Sequence, residues 1–218
     1  MNEIEKTGQA EFDFAAPNPA QKEPSALPPF LRQEGFYFVA LGGAEKVGMN
    51  MYAYISDGRI IVVDAGYDFL NDDFPGMELG LADPAWLESY RDCIDAMFIT
   101  HSHEDHFGAI AHIWPRLRCP VYATDFTIGH ILPRLREYKL ENEVELISVN
   151  QNPVVKLPDF EVEYVPVVHS LPENSALRIK TKYGTVFHAT DWRFDDCHID
   201  FMKTSYDRLK QVGEQGVD

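Results

Sequence analysis

Six consecutive residues constrain this chain more than anything else in it: His101-Ser102-His103-Glu104-Asp105-His106. They follow an apolar run, 96–100, and precede a segment, 107–117, in which Ile110, Ala111 and Trp114 recur at helical spacing. In extended backbone, His101 and His103 project to the same side and can share one ion. Asp105 and His106 arrive as the chain turns into the helix and can face a second ion beside the first. Imidazole and carboxylate without thiolate suit zinc, with manganese as the alternative. The competing reading is a solvated polar loop, and the flanking strand and helix weigh against it.

Further candidates stand where later apolar runs end. His169 closes the run 160–168 and is a candidate third ligand for the ion of His101 and His103, although a histidine at a strand end is more often an ordinary hydrogen-bonded residue. Asp191 closes the run 186–190. A carboxylate leaving a buried strand unpaired is costly, and a place between two cations would pair it. Asp64 ends the run 59–63 in the same manner, and its expected role is to orient ligand imidazoles or the metal loop. His112, His130, His188 and His198 are read as structural or surface residues.

The rest of the chain is organised to carry such a site. Residues 1–34 are punctuated by Pro17, Pro19, Pro24, Pro28 and Pro29 and lack apolar periodicity, so a flexible arm is expected. Residues 35–218 read as one α+β domain. Strands are expected at 36–41, 49–55 and 59–63, the last two joined by the turn Ser56-Asp57-Gly58. A long loop follows, then a helix from Asp83-Pro84 to about 92, with Asp as cap and Pro at the first helical position. Strands at 96–100 and 120–123 alternate with helices at 107–117 and 127–138, the second interrupted by Pro133; strands at 160–168, 176–181 and 185–189 follow. That order favours a mixed α/β architecture with a largely antiparallel component over a doubly wound parallel sheet.

Composition narrows the class. Hydrophobic residues make up 45% of the 218, enough for a core. No apolar run approaches the roughly 18–20 residues of a membrane span, and the acidic, polar start lacks the pattern of a secretory leader. Cys93, Cys119 and Cys197 are too dispersed for a disulfide framework or a cysteine zinc ribbon, so a cytoplasmic location is the default expectation. A net charge of −16 argues against a large RNA-binding surface, but not against a cation site.

The motif HSHEDH matches the HxHxDH signature of the metallo-β-lactamase superfamily, with His169 and Asp191 downstream in the superfamily's order. The segments LGGAEKVGMNMYAY (41–54), IIVVDAG (60–66), FITHSHEDHFGAIAHIWPRLRCPVYAT (98–124), VPVVHSLPENSAL (165–177) and GTVFHATDWRFD (184–195) resemble, one after another, those of the ribonuclease J family of β-CASP nucleases. The resemblance covers about residues 35–218. It implies the metallo-β-lactamase fold, an αββα sandwich. It also implies two divalent ions, zinc or alternatively manganese. His101, His103 and His169 would hold the first, Asp105 and His106 the second, with Asp191 bridging. The implied activity is hydrolysis of RNA phosphodiesters, by 5′–3′ exonuclease and endonuclease action in RNA maturation and decay, commonly as a homo-oligomer. Two adjacent cations lower the pKa of a shared water toward neutrality, and Asp105 would aim that water.

Two features depart from the family pattern. Where the family reads close to HTGDW, this chain has Thr190 in place of the glycine before Asp191, which would shift the aspartate's backbone. The chain also stops soon after Asp191, so the β-CASP domain, a C-terminal domain and the last histidine of the second metal position would lie beyond it. An incomplete sandwich with exposed apolar sheet, a weaker second metal position and an impaired nuclease are then expected. Two other readings stand beside this one: a small-molecule metallo-hydrolase of the same fold, such as a thioesterase or lactonase, and a catalytically silent interaction fragment.

Overall fold

The computed structural model describes residues 34–71, 74–151, 153–193 and 204–218. The N-terminal arm expected over 1–34 falls almost wholly outside the described residues, as do Cys197 and His198.

The first half of the domain is a six-stranded sheet in the order β1-β2-β3-β6-β7-β8. Its strands are β1 (Phe36–Gly42), β2 (Met51–Ser56), β3 (Arg59–Val63), β6 (Ile94–Phe98), β7 (Val121–Ala123) and β8 (Leu146–Ser148). The β2–β3 hairpin turns at Asp57 and Gly58, both at positive φ (49° and 79°), as a tight two-residue turn matched to strand twist requires. The chain then leaves the antiparallel pattern. The pairs β3·β6, β6·β7 and β7·β8 are all parallel, so three of the five pairings in this sheet are parallel within a fold whose other pairings are antiparallel. The reason is local: helical crossovers separate those strands, and a crossover returns the chain in the same direction. β3 is a near-continuous apolar run, RIIVV, as suits a strand buried on both faces.

The second sheet is fully antiparallel, in the order β12-β11-β10-β9, from β9 (Val154–Lys156), β10 (Glu161–Pro166), β11 (Ser175–Lys180) and β12 (Thr185–His188). The two sheets face each other across Ile61, Val63, Ala96, Phe98, Val162, Tyr164, Leu177 and Ile179, all buried. The other face of the six-stranded sheet is covered by α1 (Ala85–Glu88), α3 (Ile110–Leu117) and α4 (Asp125–Glu137), around Met51, Ile55, Leu87, Ile113 and Leu135. α5 (Tyr206–Gln215) lies on the outer side of the four-stranded sheet, with Val212 buried and Arg208 bonded to Glu163 of β10, which gives the αββα order. The facing sheet surfaces are therefore covered. Among the described residues, exposed apolar side chains include Phe38 on edge strand β1 (54%) and a cluster at the hairpin 67–81, with Phe69 (72%), Met77 (55%) and Leu79 (42%).

Several elements depart from expectation. The helix begun at Asp83-Pro84 lasts one turn, Ala85–Glu88, and gives way to a 3-10 turn at Arg91–Cys93. Asp83 still accepts the backbone N–H of Ala85 at 2.9 Å. The long loop before it contains a small hairpin, β4 (Tyr67–Phe69) with β5 (Leu79–Leu81). Pro133 does not interrupt α4, which runs unbroken through it. The helix after the histidine motif opens early, as α2 (Glu104–Phe107), so Asp105 and His106 lie on its single turn.

α5 is tied down by charge. Glu163 of β10 is buried and accepts from Arg178 of β11 at 3.0 Å and from Arg208 of α5 at 2.6 Å. Arg208→Ala removes one cation and leaves Glu163 paired with Arg178. A loss of about 1.5–3 kcal/mol is expected, the worth of a hydrogen bond to a charged group. Urea denaturation at constant m-value checks it.

Candidate metal centre

Four loops meet at one rim of the sandwich because four strands point there. β3 and β6 are parallel, so Asp64 and His101 leave the first sheet at the same end. β10 and β12 both run antiparallel to β11, which sends His169 and Asp191 out of the second sheet toward the same rim.

The imidazoles of His101, His103 and His169 converge. Nε2 of His101 lies 2.9 Å from Nδ1 of His103, and Nε2 of His169 lies 3.1 Å from that same atom. The rings stand nearly perpendicular to one another, at 79°, 86° and 90°. One ring nitrogen from each thus faces a common point from three directions, the arrangement of three of the four corners of a tetrahedral ion. A second group shares His101 and adds His106 and Asp191; in each group the donor atoms lie within 4.8 Å of one another. Nε2 of His106 is 3.6 Å from Asp191 and 3.7 Å from Asp105, while Nε2 of His169 is 3.8 Å from Asp191. Asp191 therefore stands between the two groups. Five of the six residues singled out from the sequence as ligands fall in these two groups; Asp105 lies beside them, 3.7 Å from Nε2 of His106, but in neither group.

The electrostatics fit a cation. Burial, then the neighbouring imidazoles of His106, His103 and His169, lower the pKa of His101 to about 2, so its lone pair is free at neutral pH. Burial lowers His103 and His169 as well. For His106 burial works the other way from the net result: the carboxylates of Asp64, Asp191 and Asp105 overcome it and raise the pKa to about 10. His106, 3.6 Å away, holds Asp191 down to about 2. Positive charge is favoured at the centre of this cluster, and a divalent ion is one way to supply it.

Asp64 sits beneath both groups, fully buried and in the left-handed region at φ 62°. Its carboxylate accepts the Thr100 N–H at 2.8 Å, the Thr100 hydroxyl at 3.0 Å and Nδ1 of His106 at 2.8 Å. With its proton given to Asp64, the Thr100 oxygen accepts from Nδ1 of His101, 3.0 Å away. One carboxylate thus fixes the proton of His106 directly and that of His101 through Thr100, leaving Nε2 of both to face the cluster.

Sequence reasoning missed Asn50, Thr100 and Asn174. Asn50 follows the glycine-rich stretch 42–48; its side-chain N–H groups donate to the Asp105 carbonyl at 3.0 Å and carboxylate at 3.3 Å, while Tyr52 donates to its oxygen at 2.9 Å. Asn174 donates to the Asp191 carbonyl at 2.7 Å. Thr190, at the position where glycine was expected, adopts φ 54°, the conformation glycine favours, and its hydroxyl bonds Thr100 at 3.0 Å. The only sequence signal for these residues is that each adjoins a motif: a short polar side chain beside a ligand or a strand end. His188, read as structural, lines the 430 Å³ cleft beside Asn50, Asp105, His106 and Asp191, and its Nδ1 lies 3.0 Å from the Tyr54 hydroxyl.

Residues 59–206 match the model of the beta-lactamase superfamily domain, and the chain belongs to that superfamily. Its architecture is the metallo-β-lactamase fold: a Bacillus subtilis protein of that fold, YhfI, aligns over 75% of this chain and 65% of its own, with a TM-score of 0.53 at 17% identity. Within the superfamily the similarity is specific. A ribonuclease J of Sinorhizobium meliloti is 39% identical over 190 residues, covering 85% of this chain and 34% of its own length. A ribonuclease J of Mycolicibacterium smegmatis is 36% identical over 88% of this chain and 34% of its own. One from Helicobacter pylori is 33% identical over 81% and 26%. The chain therefore spans between about a quarter and a third of the length of these relatives. Among the described residues no helix is long and apolar enough to cross a membrane.

Proposed function

We propose that this chain forms the metal-binding part of an RNA phosphodiester hydrolase of the ribonuclease J kind. The observation that carries the reading is the meeting of His101, His103 and His169 at one point, with His106 and Asp191 forming an adjoining group. The similarity at 33–39% identity to several proteins named ribonuclease J favours RNA over a small ester as substrate.

His101, His103 and His169 hold the first ion, Asp105 and His106 the second, and Asp191 lies between. Three imidazoles with no thiolate favour zinc, with manganese as the alternative. Bound ions supply positive charge that acidifies water and neutralises phosphate oxygens. The chain's own part is to hold the donors rigidly and to place the Asp105 carboxylate where it can accept and orient a water proton. Asn50 fixes that carboxylate from behind, and Asp64 and Thr100 fix the imidazole protons.

On this chain's donors, the position with three imidazoles should fill before the one with a single imidazole. Cobalt titration followed by visible absorption is expected to show two unequal steps. His101→Ala should abolish the first, and two equal steps would contradict the assignment. The activity test compares 5′-monophosphorylated RNA with thioester and lactone substrates on the metal-loaded chain. Expected is metal-dependent RNA cleavage, slow because a net charge of −16 repels a polyanion, and at least about 100-fold weaker in His101→Ala. Hydrolysis of the esters alone would replace RNA with a small-molecule substrate. Cleavage of nothing by a metal-loaded chain would leave a silent interaction fragment.

A further inference from the structure

His103 differs from the other imidazoles of the centre: it faces the common point through Nδ1, whereas His101 and His169 present Nε2. A neutral imidazole carries one proton, and only the other nitrogen has a lone pair to give. For His103 to offer Nδ1, the proton must sit on Nε2 and needs an acceptor. The buried carboxylate that serves His101 and His106 does not reach it. Instead Nε2 of His103 lies 3.0 Å from the hydroxyl oxygen of Ser170.

We infer that Ser170 is the positioning residue of the first metal position, its hydroxyl accepting the Nε2 proton of His103 and so committing Nδ1 to the ion. The inference rests on the reading that His101, His103 and His169 share an ion. Ser170 is suited to the role by its place in the chain. It directly follows His169, so the loop leaving β10 delivers a ligand and, one residue later, the group that orients the opposing ligand. The backbone of His103 is already fixed: its carbonyl accepts the N–H groups of His106 at 2.9 Å and Phe107 at 3.1 Å, at the start of α2. What that anchoring leaves free is rotation of the ring about the Cβ–Cγ bond. A half-turn would carry Nδ1 away from the cluster and put a carbon in its place. The bond to Ser170 opposes that half-turn and selects the tautomer in one contact.

Ser170 is exposed, so water can partly stand in when the hydroxyl is removed. The effect should therefore fall at the lower end of what outer hydrogen-bond partners of metal ligands contribute, about tenfold in affinity. The experiment measures zinc affinity by chelator competition in the full chain and in Ser170→Ala, Ser170→Thr and Ser170→Val. It also reads the 15N signals of His103 in histidine-labelled, zinc-loaded protein. Expected are a roughly tenfold loss in the alanine and valine variants and recovery in the threonine variant, which keeps the hydroxyl. The His103 signals should show a protonated Nε2 and metal-bound Nδ1 in the wild type, and a mixture or broadening without the hydroxyl. Thermal unfolding of the metal-free variants should match wild type, which separates this role from a structural one. Wild-type affinity and unchanged His103 signals in Ser170→Ala overturn the inference while leaving the metal reading intact. A wild-type chain that binds no zinc overturns both, and is distinguished by failing before any variant is compared.

Discussion

Asp64→Asn should leave the chain folded and strip the second metal position. Asparagine tolerates the left-handed conformation that residue 64 adopts, so the backbone has no reason to move. Its oxygen can still accept from the Thr100 N–H and hydroxyl. Its NH₂ group, however, now stands where the carboxylate accepted Nδ1–H of His106 at 2.8 Å. Two donors that face each other in a fully buried site are both left unpaired. The ring either keeps its Nδ1 proton against that donor or moves it to Nε2, where it meets the Asn50 amide 3.1 Å away and leaves no lone pair for an ion; either way the second position loses its preset ligand. A loss of about 100-fold in affinity for the second ion is expected, the upper end for such partners. The first position keeps its Thr100 relay and should change much less. Asp64→Ala is the harsher change: it orphans the Thr100 N–H, the Thr100 hydroxyl and the His106 ring N–H together, at about 1–3 kcal/mol for each buried donor. Denaturation with and without zinc separates the two variants. Two ions bound at wild-type strength by Asp64→Asn would mean that Asp64 does not set the His106 proton.

His101, His169 and Asp191 were legible because each follows a recognisable apolar run, and a strand end is where a buried chain presents side chains to a rim; His103, Asp105 and His106 were legible from their spacing after His101. The hairpin at Asp57-Gly58 was legible for a similar reason, since its turn residues have few alternatives. Contacts made across the fold were not. Asn50 touches Asp105, and Asn174 touches the Asp191 carbonyl, through pairings that no local pattern encodes. The pairing of the last strands of the first sheet was not legible, because β7 and β8 are three residues each, too short to show a period. Pro133 misled because its penalty is a local average, and Ile131 and Leu135, buried on either side of it, hold α4 to the core. Thr190 is a different case. The backbone conformation that glycine would have supplied is kept by a β-branched residue, and the bond of its hydroxyl to Thr100 offsets part of the strain of about 1–2 kcal/mol.

Gly66→Ala is expected to break the centre from behind. Gly66 does not need a left-handed conformation; it is there for space. A methyl group built on it would lie 1.6 Å from the Asp105 carbonyl oxygen, 2.0 Å from its carbon and 2.7 Å from the His106 nitrogen. All three are backbone atoms, so no side chain can swing aside to make room. Nor can the segments drift apart freely, because Ala65 donates to the His106 carbonyl at 2.7 Å, Gly66 to the Asn50 carbonyl at 3.0 Å, and Ala109 to the Ala65 carbonyl at 2.9 Å. Relief requires the turn that carries Asp105 and His106 to shift bodily, and a displacement of about 1 Å is enough to spoil a metal or catalytic geometry. The expected result is destabilisation of about 3 kcal/mol, at the top of the range for overpacking, with the second ion lost and the first retained by His101, His103 and His169. Gly129→Ala is the matched control. A methyl group there meets nothing within 4 Å, and the residue lies inside α4, so a gain of about 0.5–1 kcal/mol is expected instead. If both substitutions shifted stability alike and Gly66→Ala kept two ions, close backbone approach at residue 66 would not be what holds Asp105 and His106 in place.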